Sequence, residues 1–64
     1  MEQDHLDRLI MLLKEKGLTK EQAFQICFLA RTENRAKELI LQIQNGLEQK
    51  DYWKAAKQIA KTID

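Results

Sequence analysis

Thr19-Lys20-Glu21-Gln22-Ala23-Phe24-Gln25-Ile26-Cys27-Phe28-Leu29-Ala30 is the stretch on which the fold turns. Thr19 followed three residues later by Gln22 has the form of a capping box, in which the hydroxyl accepts an early backbone N–H and the amide reaches back. A helix is predicted over 20–30. Its apolar residues, Ala23, Phe24, Ile26, Cys27, Phe28, Leu29 and Ala30, spread over a far wider arc than a single stripe. A helix apolar nearly all round must be covered on most sides, so this one is either the central element or faces a partner.

Upstream, Leu6, Leu9, Ile10 and Leu13 recur at i, i+3, i+4 and i+7. With Asp4 as a candidate N-cap and Lys14 and Lys16 in the last turn, they predict a helix over 4–16. Proline is absent, and the two glycines, Gly17 and Gly46, each follow an apolar-periodic segment, where a left-handed helix cap wants them. Downstream, the polar segment Arg31-Thr32-Glu33-Asn34 holds two candidate N-caps, Thr32 and Asn34. Ala36, Leu39, Ile40 and Ile43 then predict a helix over 34–45, closed by Asn45-Gly46. Nothing in 31–34 forbids helical backbone, which leaves open whether the second and third helices are separate. A last helix, over 49–62, places Tyr52, Trp53, Ala56, Ile59, Ala60 and Ile63 on one face and Lys50, Lys54, Lys57 and Lys61 opposite them. The expected fold is all-α, a small bundle of three or four short helices forming a single domain over 1–64.

A chain of 64 residues buries only about 60% of the surface its unfolded form exposes. Its core supplies no more than ~3–5 kcal/mol unless a disulfide, a metal, self-association or close helix packing adds to it. Cys27 is the only cysteine and His5 the only histidine, which removes an internal disulfide and a Cys/His zinc site. Eleven Lys and Arg stand against ten Asp and Glu, interspersed, so no global field draws the chain to nucleic acid or an anionic membrane. The longest apolar run, Leu9–Leu13, is five residues, against the ~20 of a membrane span. The acidic opening is the reverse of a secretory signal, and one unpaired cysteine in an apolar stretch agrees with a reducing compartment. A cytoplasmic, intracellular protein is expected.

Catalytic chemistry needs several polar groups converging in a pocket, and no such set is present. His5 stands near the terminus between Asp4 and Asp7 and reads as a solvated side chain, while Cys27, between Ile26 and Phe28, reads as a small apolar group. Glycine-rich phosphate loops and metal-ligand spacings are missing, so neither an enzyme nor a cofactor is implied. A nucleic-acid reading has some material: the second and third helices could form a helix-turn-helix with Arg31, Arg35 and Lys37 nearby, and the Lys50, Lys54, Lys57, Lys61 stripe could follow phosphates. Against it, the turn lacks glycine, and Glu33 and Glu38 put negative charge on the reading helix.

Surplus apolar area is the sharper signal. Met11 and Leu12 point away from the stripe of the first helix, Leu41 is off the Ala36–Ile43 face, and Leu29 lies opposite Ala23 and Cys27. Tyr52 and Trp53 are expected to anchor the last helix in the core. A core this small cannot take in all the rest, and apolar residues that join into a patch mark an interface. Met11, Leu12, Phe28, Leu29 and Leu41 are therefore the candidate partner-binding residues.

Gly17-Leu18-Thr19, Ala23, and Asn34 with Ala36 and Leu39 loosely resemble ubiquitin-associated three-helix domains over about residues 6–44. Lys16 stands where that family has a loop methionine, the 32–34 turn departs from its pattern, and a fourth helix is added, so ubiquitin binding is not carried over. The expected function is a non-enzymatic interaction module, a small regulator or adaptor that binds another protein or a second copy of itself. Nucleic-acid binding through Arg31, Arg35 and the four lysines is the alternative.

Overall fold

The computed structural model describes residues 4–62, and its elements are α1 (His5–Glu15), α2 (Lys20–Ala30), α3 (Glu33–Gln44), a 3-10 turn (Gln49–Asp51) and α4 (Tyr52–Thr62). The fold is an all-α bundle of four short helices, with no strand among the described residues. Asp4 caps α1, accepting the Asp7 N–H at 3.2 Å. The capping box of α2 is complete: the Thr19 hydroxyl accepts the Gln22 N–H at 3.1 Å, and the Gln22 amide oxygen accepts the Thr19 N–H at 3.0 Å. Each such cap satisfies donors that the helix itself leaves orphaned.

The start of α3 differs from the expectation by one residue. Thr32, rather than Asn34, is the cap, accepting the Arg35 N–H at 3.2 Å. The expected last helix also divides: Gln49–Asp51 forms a tighter 3-10 turn that leads into the α-helix at Tyr52.

Both glycines close their helices in the same way. Gly17, at φ +101°, donates to Lys14 O at 3.1 Å while Leu18 donates to Leu13 O at 3.1 Å. Gly46, at φ +107°, donates to Ile43 O at 3.1 Å while Leu47 donates to Gln42 O at 3.0 Å. These are Schellman motifs, in which the left-handed residue lets two N–H groups turn back onto the last carbonyls. Leu18 completes the first by burying itself in the core.

No glycine ends α2. Arg31 takes φ +73°, ψ −47°, and the Thr32 N–H turns back to Ala30 O at 2.9 Å. That is a γ-turn of the rare, strained hand, and it separates α2 from α3.

In the packing, α1 lies against α2 and α3, and α4 lies against the same two, while α1 and α4 make no close backbone approach. Leu9, Leu13, Ile26 and Leu39 are completely enclosed, joined by Leu18, Ile43, Tyr52 and Ile59. Buried alanines on three helices, Ala23, Ala36 and Ala56, let the backbones come close. α4 therefore folds back on its own chain, with Tyr52, Ala56 and Ile59 in the core. Ile63, assigned by the sequence to the same apolar face, lies outside the described residues.

Candidate functional site

α2 is the helix whose apolar residues reach nearly all round it, and its neighbours cover only part of them. Ala23, Ile26, Cys27 and Ala30 are buried, but Phe24 and Phe28 remain exposed, Phe28 by 79%. The two rings stand four residues apart and form a ridge along one side of the helix. On one flank an open groove of about 490 Å³ runs between Phe24, Phe28, Leu29 and Trp53 of α4. A second groove, of about 480 Å³, runs on the other flank between the same phenylalanines and Leu6 and Ile10 of α1, with Cys27 beneath and Arg31 at its end.

At the Phe28 end of the ridge a third depression brings Arg31, Arg35, Lys57 and Lys61 around Phe28 and Leu29. The Lys20 ammonium lies 5.9 Å from the centre of the Phe24 ring at the opposite end, close enough for a cation–π attraction. Among the described residues, none that lines these three depressions is acidic. Part of this cationic grouping serves the helix ends, since Arg31 caps the C-terminus of α2 and Lys61 lies in the last turn of α4.

The sequence-derived interface residues do not form one patch. Phe28 and Leu29 belong to the ridge, and Leu29 is half-buried. Met11 and Leu12 line a separate depression with Ile40, Arg8 and Glu15, which shares no residue with the three around Phe28. Met11 is 64% exposed there, and Leu12 is half-buried against the core. Leu41 is exposed on α3 and borders neither region. Trp53 is not enclosed as Tyr52 is. It packs on the core with part of its surface and walls the ridge groove with the rest.

Phe24 was missed by sequence reasoning, although its i, i+4 relation to Phe28 was the signal that could have paired them. The lysine stripe also divides. Lys57 and Lys61 join Arg31 and Arg35, whereas Lys54 lines a different hollow with Asp51 and Gln42, and Lys50 pairs with Glu48 at 3.4 Å.

Two other groups bear on chemistry. The Cys27 thiol is buried and lies 3.7 Å from Leu6 O. Desolvation, with a smaller effect from the charge of Asp7, pushes its pKa up to about 11, so at neutral pH it is a protonated thiol and a poor nucleophile. Asp4, Asp7 and Glu33 gather where α1 and α3 begin. There the Glu33 carboxylate accepts the His5 backbone N–H, which ties the two helix starts together. The Asp7 N–H holds the Asp4 carboxyl below its usual range, while a hydrogen bond to Asp4 raises that of Asp7. Among the described residues no group of His, Cys, Asp and Glu is arranged to hold a metal ion, and no helix is long and apolar enough to cross a membrane.

Comparison with protein-family models, with curated proteins and with solved structures returns no match to this chain.

Proposed function

We propose that this chain is a non-enzymatic protein-interaction module whose binding face is the Phe24–Phe28 ridge of α2 with its two flanking grooves. The observation that carries the reading is the exposure of two aromatic side chains, one turn apart, on a helix that commits only its Ala23, Ile26, Cys27 and Ala30 side to the core. Leaving a phenylalanine in water forgoes about 1.5–3 kcal/mol of burial, a large sacrifice in a fold with only ~3–5 kcal/mol to spare. Aromatic rings beside a partly buried tryptophan are the side chains that dominate binding energy when a partner covers them. The protein acts by occupying a surface of its partner, as a regulator or adaptor does, and needs no reacting group of its own.

The test uses an apolar fluorescent dye and light scattering on the purified chain. Wild type is expected to bind the dye while keeping its helical signal. Phe24→Ala with Phe28→Ala should lose that binding with the melting temperature nearly unchanged, because exposed side chains contribute little to stability. A native chain that takes up no dye, or a double variant that binds as well as wild type, would count against the reading. A molar mass that rises with concentration in wild type but not in the variant would identify the partner as a second copy.

A further inference from the structure

We infer that the occupant of the Phe24–Phe28 face is an acidic amphipathic helix of another protein, its apolar stripe seated on the ridge and its carboxylates meeting Arg31, Lys57 and Lys61. The inference rests on the reading of this face as a docking surface and adds the chemistry of what docks there.

The first argument is charge. Arg31, Lys57 and Lys61 surround the Phe28 end of the ridge and a further cation, Lys20, stands over Phe24. No described residue lining the grooves is acidic, and Glu21, the one carboxylate on α2, stands in line with the ridge three residues before Phe24, at the end away from Arg31 and outside all three. In a chain whose charges nearly balance, this gathering of cations leaves the Phe28 end of the face locally positive. An incoming helix bearing carboxylates beside its apolar stripe gains attraction at the rim, and one bearing lysines meets repulsion.

The second argument excludes a copy of the chain as the favoured occupant. A two-fold dimer brings the same patch of both subunits together. Phe28 against Phe28 would then bring Arg31, Lys57 and Lys61 of one subunit close to the same three of the other.

The third argument is shape. A ridge of side chains at i and i+4 between two grooves of nearly equal volume is the surface into which the ridges of a second helix interdigitate. Anchors at i, i+3 or i+4, and i+7 on the partner would fall to either side of Phe28. An extended segment finds no strand edge to join among the described residues. Nucleic acid would use the cations but would leave the exposed phenylalanine ridge beside them without a role.

The experiment measures binding of a fluorescein-labelled synthetic peptide of about five helical turns, with Leu at the helical anchor positions and Glu at most others. It is compared with the same peptide carrying Lys for Glu and with a labelled DNA duplex. The acidic peptide is expected to bind at least about tenfold more tightly than its lysine counterpart. That preference should shrink between about 0.1 and 1 M salt, as the screening length falls from ~10 to ~3 Å. Arg31→Glu with Lys57→Glu should reverse the order of the two peptides, while Phe28→Ala should weaken both.

Equal binding of both peptides, each weakened by Phe28→Ala, overturns the acidic partner and leaves the docking face intact. Tighter binding of the duplex than of the acidic peptide overturns it in favour of nucleic acid. Failure of either peptide to bind overturns the helical occupant, and whether the docking reading falls with it is decided by the dye measurement on the same protein.

Discussion

Replacing Arg31 separates backbone strain from charge, because Arg31→Ala and Arg31→Gly remove the same guanidinium and differ only at the Cβ atom. At φ +73°, ψ −47° the residue sits in the strained γ-turn that ends α2. Holding a non-glycine residue in a sparsely populated backbone region costs of order 1–3 kcal/mol, and alanine retains that cost. Glycine relieves it but gives back about 0.5–1 kcal/mol through the greater freedom of the unfolded chain. Arg31→Gly should therefore be more stable than Arg31→Ala by about 1 kcal/mol, the reverse of their order at an ordinary helical position. In a domain of this size that difference moves the melting temperature by about 4–8 °C. Thermal and urea unfolding of the two variants, followed by helical circular dichroism, reads it directly. Arg31→Ala as stable as Arg31→Gly, or more so, would refute the turn geometry and with it the strain. If the arginine is kept there for binding, Arg31→Gly should be the more stable protein than wild type and yet the weaker binder of the acidic peptide, the pattern of a stability–function trade-off.

Leu39→Ala empties a fully enclosed site and should cost about 2–5 kcal/mol, comparable to the whole stability of so small a fold, so circular dichroism should show a largely unfolded chain at room temperature. Thr19→Ala removes the hydroxyl that caps α2 and should lower unfolding free energy by about 1 kcal/mol, measured by urea denaturation. Because burial raises the Cys27 pKa from its ordinary 9.0 to about 11, the folded chain holds that proton more tightly than the unfolded one. Its contribution to stability is then complete below about pH 9 and is lost as pH rises toward 11, a loss that denaturant titrations of wild type should show and those of Cys27→Ala should not. The same thiol should react with a disulfide reagent far more slowly in the folded protein at pH 8 than in denaturant, where it is exposed and titrates normally; equal rates would contradict its burial.

Local interactions made most of the architecture readable from the chain. A cap joins residues three apart, a helical stripe joins residues three and four apart, and a Schellman turn needs a residue that tolerates positive φ. Asp4, Thr19 with Gln22, Gly17 and Gly46 accordingly bound their helices where the sequence places them. Arg31 carries no such mark, since arginine is an ordinary residue in many conformations. Only the demands of placing α3 across the bundle put it at positive φ.

The interaction face was likewise beyond local reading. The chain alone was enough for three or four short helices, most of their caps, and an excess of apolar side chains over what one small interior can hold, while the break between α2 and α3 at Arg31 was left open. Which of those side chains stay in water was decided by tertiary packing. α1 and α4 close on the Ala23, Ile26, Cys27 and Ala30 side of α2, and so leave Phe24 and Phe28 outside while sending Met11 and Leu41 to other surfaces. The same docking carries Lys57 and Lys61 to Arg31 and Arg35. Exposure is a property of which helical faces meet, and that is set by contacts between residues far apart in the chain, whose pairing no periodicity of a single helix records.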